Sequence, residues 1–228
     1  MKRICLFYMA LWMLLGSLLL GASDTHAEPS FPIVRDQGEY EIEIYPKQHR
    51  LIVLLHGSVF KTYRIAVGTY STPTPIGEYK IVYKGENWGP AFGPRWLGLN
   101  VPWGNYGIHG TNQPHSLGQH LSHGCIRMRN ADVIELYRLI PIGTKVTIYG
   151  HVLGEANKEP RRLAEGDVGG DVQLIQSRLK SAGYFKGECN GKFRSDTTRA
   201  LKKFQQEQRI PSDGVVSAEV YNKLGLLE

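Results

Sequence analysis

EIEIYPKQHRLIVLLHGSVFKTYRIAV, residues 41–67, decides the fold class. Glu41-Ile42-Glu43-Ile44-Tyr45 alternates polar and apolar side chains, the period of a strand with one buried face. Pro46-Lys47-Gln48 reads as a turn, Leu51 to Leu55 is a continuous apolar run, and Phe60 to Val67 is a third β-prone segment. The last two are joined by His56-Gly57-Ser58, a short glycine-containing connection that predicts a hairpin. Tyr79 to Tyr83 and Lys145 to Tyr149 are further strand candidates. Several short strands with turn signals between them predict a β-sandwich or barrel-like sheet.

Outward from that core the pattern changes. Residues 85–124 are dense in Gly, Pro and Trp, and little regular structure is expected there. One helix follows: Asn130 is a good N-cap, Val133, Leu136, Tyr137 and Ile140 recur at helical spacing, and Pro141 stops it. Residues 151–164 carry charges, Gly154 and Pro160 without periodicity and read as a linker. Beyond it, Val172, Ile175, Leu179 and Ala182 make a helical stripe ended by Gly183. Ser195 can cap a second helix carrying Ala200, Leu201 and Phe204. Ser217 can cap a third carrying Val220, Tyr221 and Leu224. An internal echo links Asn190-Gly191-Lys192-Phe193 with Asp213-Gly214-Val215-Val216. The expected organisation is a mainly β domain at 38–150 and a small all-α, three-helix domain at 165–228, the latter near the lower size limit for an independent core.

The N-terminus predicts export. Lys2 and Arg3 precede an apolar run from Ile4 to Leu20, and Thr25-His26-Ala27 places small residues before Glu28. That is the layout of a secretory signal peptide at 1–27, with an uncleaved membrane anchor as the competing reading. Membrane contact is expected only through this segment. The formal charge of +6 and pI near 9.2 favour polyanionic partners, including nucleic acid, membrane surfaces and anionic wall polymers. No nucleic-acid module accompanies that charge, so nucleic acid is not an expected partner.

Three cysteines are present, and Cys5 lies in the expected signal segment. Cys125 and Cys189 could pair, as exported cysteines do, although the bridge would tie together two separately folding units. The alternative is a functional Cys125. It stands in Ser122-His123-Gly124-Cys125-Ile126-Arg127, and Tyr106-Gly107-Ile108-His109-Gly110-Thr111 places another imidazole sixteen positions upstream. A thiol is a good nucleophile as thiolate, and a neighbouring imidazole or cation favours that form. A loop of this length can return His109 to hydrogen-bond reach of Cys125 as a general base. Backbone N–H groups around Gly124 and Cys125 are candidates to receive a developing oxyanion. Four histidines, His109, His115, His120 and His123, also invite a metal reading, but no nearby Asp or Glu joins them. Neither metal nor cofactor is expected. Trp88, Trp96 and Trp103 either line a cleft or fill core.

His109-Gly110-Thr111, then Ser122-His123-Gly124-Cys125 with Arg127 two residues on, resembles the motif of the YkuD-type L,D-transpeptidase family. Thr72-Pro73-Thr74-Pro75-Ile76-Gly77-Glu78-Tyr79 resembles another segment of that family, and the likeness covers roughly residues 38 to 150. It implies a β-sandwich and a cell-wall acyltransferase. Cys125 would attack the carbonyl of the third residue of a peptidoglycan stem peptide, release the terminal D-alanine, and pass the acyl group to a neighbouring stem's amine as a 3→3 cross-link. His109 would be the base, with the Gly110 carbonyl orienting it. His123 and Arg127 would shape the site or bind substrate carboxylates, and Ser122 and Gly124 would support the site or bind substrate. The C-terminal segment resembles a three-helix peptidoglycan-binding domain through Leu174-Ile175-Gln176, Asn190-Gly191-Lys192-Phe193, Phe204-Gln205 and Asp213-Gly214, which implies glycan as a second partner. Cys189-Asn190 and Arg194 depart from that domain's usual pattern. Water in place of the amine would make the same thioester chemistry an L,D-carboxypeptidase. A non-catalytic wall-binding protein is a third reading, against which the intact His109 and Cys125 pair speaks.

Overall fold

The computed structural model describes residues 39–154 and 158–227, so the expected signal peptide lies outside the described residues. Among the described residues, the first domain contains β1 (Tyr40–Tyr45), β2 (Arg50–Leu55), β3 (Ser58–Arg64), β4 (Val67–Gly68) and β5 (Gly77–Glu86). It continues with β6 (Arg95–Leu99), β7 (Tyr106–His109), β8 (His120–Ser122), β9 (Ile126–Arg127), α1 (Asn130–Leu139) and β10 (Lys145–Ile148). Eight strands form one mixed sheet in the order β3-β2-β1-β10-β5-β6-β7-β9, and β4 pairs with β8.

The predicted hairpin is β2–β3, turned by His56 at φ 51° and Gly57 at φ 74°. Two successive positive φ angles give the twist that a tight antiparallel turn needs. β5 belongs to both halves of the sheet: Gly77 to Lys80 pair with β10, and Ile81 to Glu86 pair with β6 across a register shift. Such irregularities bend a strand and increase its twist. The sheet curls until Ala66, just past β3, exchanges both backbone hydrogen bonds with Arg127 of β9 at 2.9 Å each. Inside lies a core that includes Ile42, Ile44, Leu51, Val53, Ile81, Leu97, Ile108 and Ile126, to which α1 adds Val133 and Leu136. Lys84 closes the last turn of α1 by donating from Nζ to the carbonyls of Tyr137 (2.5 Å) and Ile140 (2.9 Å).

Two expectations need correction here. The Gly- and Pro-rich stretch 85–124 contains β6, β7 and β8, not merely irregular chain. Gly98 and Gly107 are strand residues that face each other across β6–β7. A Cβ on Gly107 would lie 2.6 Å from the Trp96 ring, and one on Gly98 would lie 3.0 Å from its Nε1. These glycines leave room for the Trp96 ring above the strands. The second correction concerns caps. Arg129, not Asn130, is the N-cap of α1, and the Asn130 side chain bonds elsewhere, to the Thr111 N–H.

The C-terminal part holds α2 (Gly170–Ser181), α3 (Ser195–Glu207) and α4 (Ala218–Lys223) around a second core of Val172, Ile175, Leu179, Phe193, Leu201, Phe204, Val220 and Tyr221. Arg194 rather than Ser195 is the N-cap of α3, with no side-chain cap bond. Leu163, assigned to the linker by its local sequence, is fully buried in this core and bridges Val216. The internal echo is a repeated device. The Gly191 N–H donates to Gln176 Oε1 at 2.9 Å, and the Gly214 N–H donates to Gln205 Oε1 at 2.9 Å. Both glycines have positive φ, and both glutamines are 1% exposed. Each turn is closed in addition by the preceding Asn190 or Asp213 side chain, which accepts the N–H two residues on.

Candidate active site

β7 and β9 are parallel neighbours in the register Ile108↔Ile126 and His109↔Arg127. Ile108 and Ile126 point into the core with no exposed surface, so strand alternation sends His109 and Arg127 to the other face. Cys125 immediately precedes β9, level with Gly107, and continues that alternation. Cys125 and His109 are therefore diagonal neighbours on one face of two adjoining strands, a separation of roughly 8 Å between α-carbons. Among the described residues, no hydrogen bond joins the sulfur to the imidazole. The sulfur instead lies 4.0 Å from the Asn105 carbonyl oxygen, with the Gly107 N–H acting on it. The expected pair is brought onto one face but not into direct contact.

His109 is 3% exposed and held on every side. Its Nδ1 is 2.5 Å from the Gly110 carbonyl oxygen. A carbonyl only accepts, so Nδ1 carries the proton and Nε2 is the basic nitrogen. The ring stacks on Trp96 at 5.2 Å with 15° between planes, and Phe92 meets it edge-on at 5.1 Å. Trp96 in turn stacks on Trp88 at 4.9 Å. Burial, reinforced by the Arg127 charge and opposed by the Gly110 bond, pushes the imidazole down to about 4. Burial also pushes the Cys125 thiol above its ordinary value, and the Gly107 N–H and Arg127 only partly oppose it. The expectation that flanking cations favour a thiolate is corrected: desolvation outweighs them, and thiol and imidazole are both neutral at rest.

The turn that presents Cys125 is held by Ser122. The Ser122 hydroxyl, 1% exposed, donates to the Cys125 carbonyl at 2.5 Å and accepts the Gly124 N–H at 3.1 Å. The Gly124 N–H is thereby engaged, which removes it from the expected oxyanion donors. Gly124 itself has φ 107°, and a Cβ there would lie 2.6 Å from the Tyr106 ring and 3.1 Å from the Pro73 carbonyl. The Thr72-to-Pro75 segment braces this turn, since Thr72 Oγ1 donates to the Ser122 carbonyl at 3.2 Å. His123 is solvent-exposed in the same turn. Arg127 lines the face with a buried Nε that lacks a hydrogen-bond partner.

Some of the surroundings escaped the sequence reading. Asn130 Oδ1 accepts the Thr111 N–H at 2.9 Å and lies against Gly93 and Gly110, where a Cβ would come within 2.5 and 2.3 Å of it. It thus fixes the peptide whose carbonyl orients His109. The available signal was an asparagine five residues after the cysteine, which cap preferences absorbed instead. Of the three tryptophans, Trp96 and Trp103 are buried and Trp88 is 46% exposed. His115 and His120 are exposed, and His120 bonds the Gly68 carbonyl at 3.1 Å. Cys125 and Cys189 are both free thiols, so no bridge joins them. Among the described residues, no group of three or more His, Cys, Asp or Glu is placed to hold a metal ion.

The L,D-transpeptidase catalytic domain family matches residues 39–148, and the peptidoglycan binding domain family matches residues 168–224. YkuD of Bacillus subtilis (strain 168), which carries an L,D-transpeptidase name, is 49% identical over 109 residues, covering 48% of this chain and 65% of that protein. YqjB of the same strain, similarly named, is 34% identical over 128 residues, covering 49% of this chain and 72% of that protein. The solved catalytic domain of the E. faecium L,D-transpeptidase aligns with 50% of this chain and 99% of its own, at 24% identity and a TM-score of 0.43. The chain thus spans just under two thirds of YkuD and rather more of YqjB. On that identity and coverage, the chain belongs to the L,D-transpeptidase family, with a peptidoglycan binding domain following its catalytic domain.

Proposed function

We propose that this protein is an exported, wall-associated acyltransferase that cross-links peptidoglycan stem peptides through Cys125. The observation that carries the reading is the shared face of β7 and β9, which holds a partly buried thiol, a tautomer-fixed imidazole and a guanidinium on consecutive outward positions. His109 Nε2 accepts the thiol proton as sulfur attacks the carbonyl of the third stem residue. The C–N bond to the terminal D-alanine breaks, the proton passes to the departing amine, and a thioester remains. An acceptor amine then attacks the thioester, His109 takes its proton, and the thiol is restored as a 3→3 cross-link forms. General-base attack suits this site, because a neutral imidazole and a neutral thiol need no charge separation before substrate arrives. Catalytic hydrogen bonds that are long without substrate shorten in the complex.

Arg127 suits a substrate carboxylate, to which the guanidinium fork can donate two bonds. The C-terminal helices, matched to a peptidoglycan binding domain, would concentrate the enzyme on its polymer. The test is incubation with a disaccharide-tetrapeptide and mass spectrometry of the products. Cross-linked dimers with free D-alanine are the expected result. Disaccharide-tripeptide alone would instead mean that water is the acceptor, and Cys125→Ala should abolish either product.

A further inference from the structure

The aromatic stack that holds His109 extends beyond it to solvent. Trp88, Tyr83 and Phe92 are 46%, 48% and 38% exposed, and the rings touch: Trp88 lies 5.6 Å from Tyr83, and Phe92 stands edge-on to Trp96 at 5.7 Å. Trp96 stacks with both His109 and Trp88, and Trp88, with Tyr83 tilted against it, keeps about half of its surface exposed. A contiguous exposed aromatic patch beside a reactive face is more than surface scatter. The loop that carries Trp88 and Phe92 also walls a pocket of about 420 Å³, lined by Asn87, Gly89, Pro90, Gly93, Pro94, Asn112 and Asn130. The polar side chains of that lining are all amides. The nearby Glu86 and Arg95 pair with each other at 3.4 Å.

Amides donate and accept without carrying charge, and an indole face offers a flat apolar surface. An anionic ligand would call for Arg or Lys here, and an amine would call for a carboxylate. A neutral, hydroxylated ring bearing an amide is satisfied by both features. We propose that Trp88, Asn87 and Asn112 form a saccharide subsite for an N-acetylated amino sugar of the donor strand. The spacing agrees. Trp88 and the imidazole both stack on Trp96, at 4.9 and 5.2 Å, so their rings lie at most about 10 Å apart. Three extended residues, the stem between sugar and scissile carbonyl, span roughly 10 Å. The subsite rests on the peptidoglycan reading above.

The test measures kcat/KM of the full chain on a disaccharide-tetrapeptide and on the same tetrapeptide without sugar. Trp88→Ala is expected to lower the ratio of the two about tenfold. Trp88→Tyr should retain most of the ratio, and Asn112→Ala should lower it in the same direction. Rates that fall equally on both substrates would overturn the subsite, because Trp88 would then only pack Trp96. A parallel titration uses the peptide-free disaccharide and follows backbone amide shifts. Saturable shifts at residues 87–94 and 112 that vanish in Trp88→Ala support the subsite, and their absence in the unmodified protein rejects it. Should the unmodified protein turn over neither peptide, the acyl-transfer reading fails, while the titration still decides the saccharide.

Discussion

At the scale of single residues, burial sets the chemistry of the pair. His109 would protonate near 6.5 in the open chain but is held down to about 4 in the fold. Activity that needs neutral Nε2 should therefore persist well below pH 6, and the acid limb of kcat/KM should fall nearer 4 to 5 than 6.5. The same shift acts on stability. Between those values the unfolded chain binds a proton that the folded chain refuses, so stability falls as pH drops from 6.5 towards 4, by up to about 3 kcal/mol. Denaturant titrations at neutral and acid pH should show that loss, and His109→Gln should reduce it. Asn130 acts through its neighbours. Asn130→Ala leaves the Thr111 N–H without its acceptor and frees the Gly110 carbonyl, which should lower kcat about tenfold with little change in KM. It should also move the acid limb downward, because the Gly110 bond is what holds the imidazole up against burial, and Asn130→Asp, which keeps an acceptor oxygen, should restore most of the rate.

At the scale of elements, the parts legible in the sequence were those with a local cause. The β2–β3 hairpin was announced by a glycine between two apolar runs, and α1 by spacing and Pro141. The site residues were legible as a motif, yet their arrangement needed β7 and β9 to pair side by side, a contact that no local pattern encodes. β6 and β7 were hidden because Gly98 and Gly107 make room for the Trp96 ring, and glycine reads locally as a turn. In the C-terminal domain the repeated Asn/Asp-Gly turn was visible, but the glutamine that completes each turn was not assigned. Gln176→Leu or Gln205→Leu would bury an unmatched glycine N–H and should each cost about 1–3 kcal/mol. Thermal or denaturant unfolding measures this, and a change under about 0.5 kcal/mol would show that the turns close without them.

At the scale of the whole molecule, the two domains meet beside the turn that presents Cys125. The Trp103 ring, 7% exposed, lies so close to Gly191 that a Cβ there would be 2.5 Å from it, and a Cβ on Gly170 would lie 3.7 Å from the same ring. Trp103 also bonds Tyr106, whose ring packs on Gly124 next to Cys125. Gly191 belongs to a turn 88 positions beyond Trp103, so the sequence could not reveal the contact. Its consequence is that removing residues 165–228 should do more than weaken action on insoluble wall. It uncovers Trp103 and loosens the Tyr106 wall, so turnover of a soluble tetrapeptide should fall several-fold as well. Unchanged soluble kinetics in the truncated chain would mean that the domains touch without consequence.

The thioester is the most direct object to look for. The protein is mixed with a disaccharide-tetrapeptide, quenched in acid within the first turnovers, and weighed intact. The expected result is a mass gain equal to the disaccharide-tripeptide acyl group, mapped to Cys125, released by hydroxylamine and absent from Cys125→Ala. Stem-peptide turnover that proceeds with no covalent species, or that survives in Cys125→Ala, would contradict a cysteine acyl-enzyme.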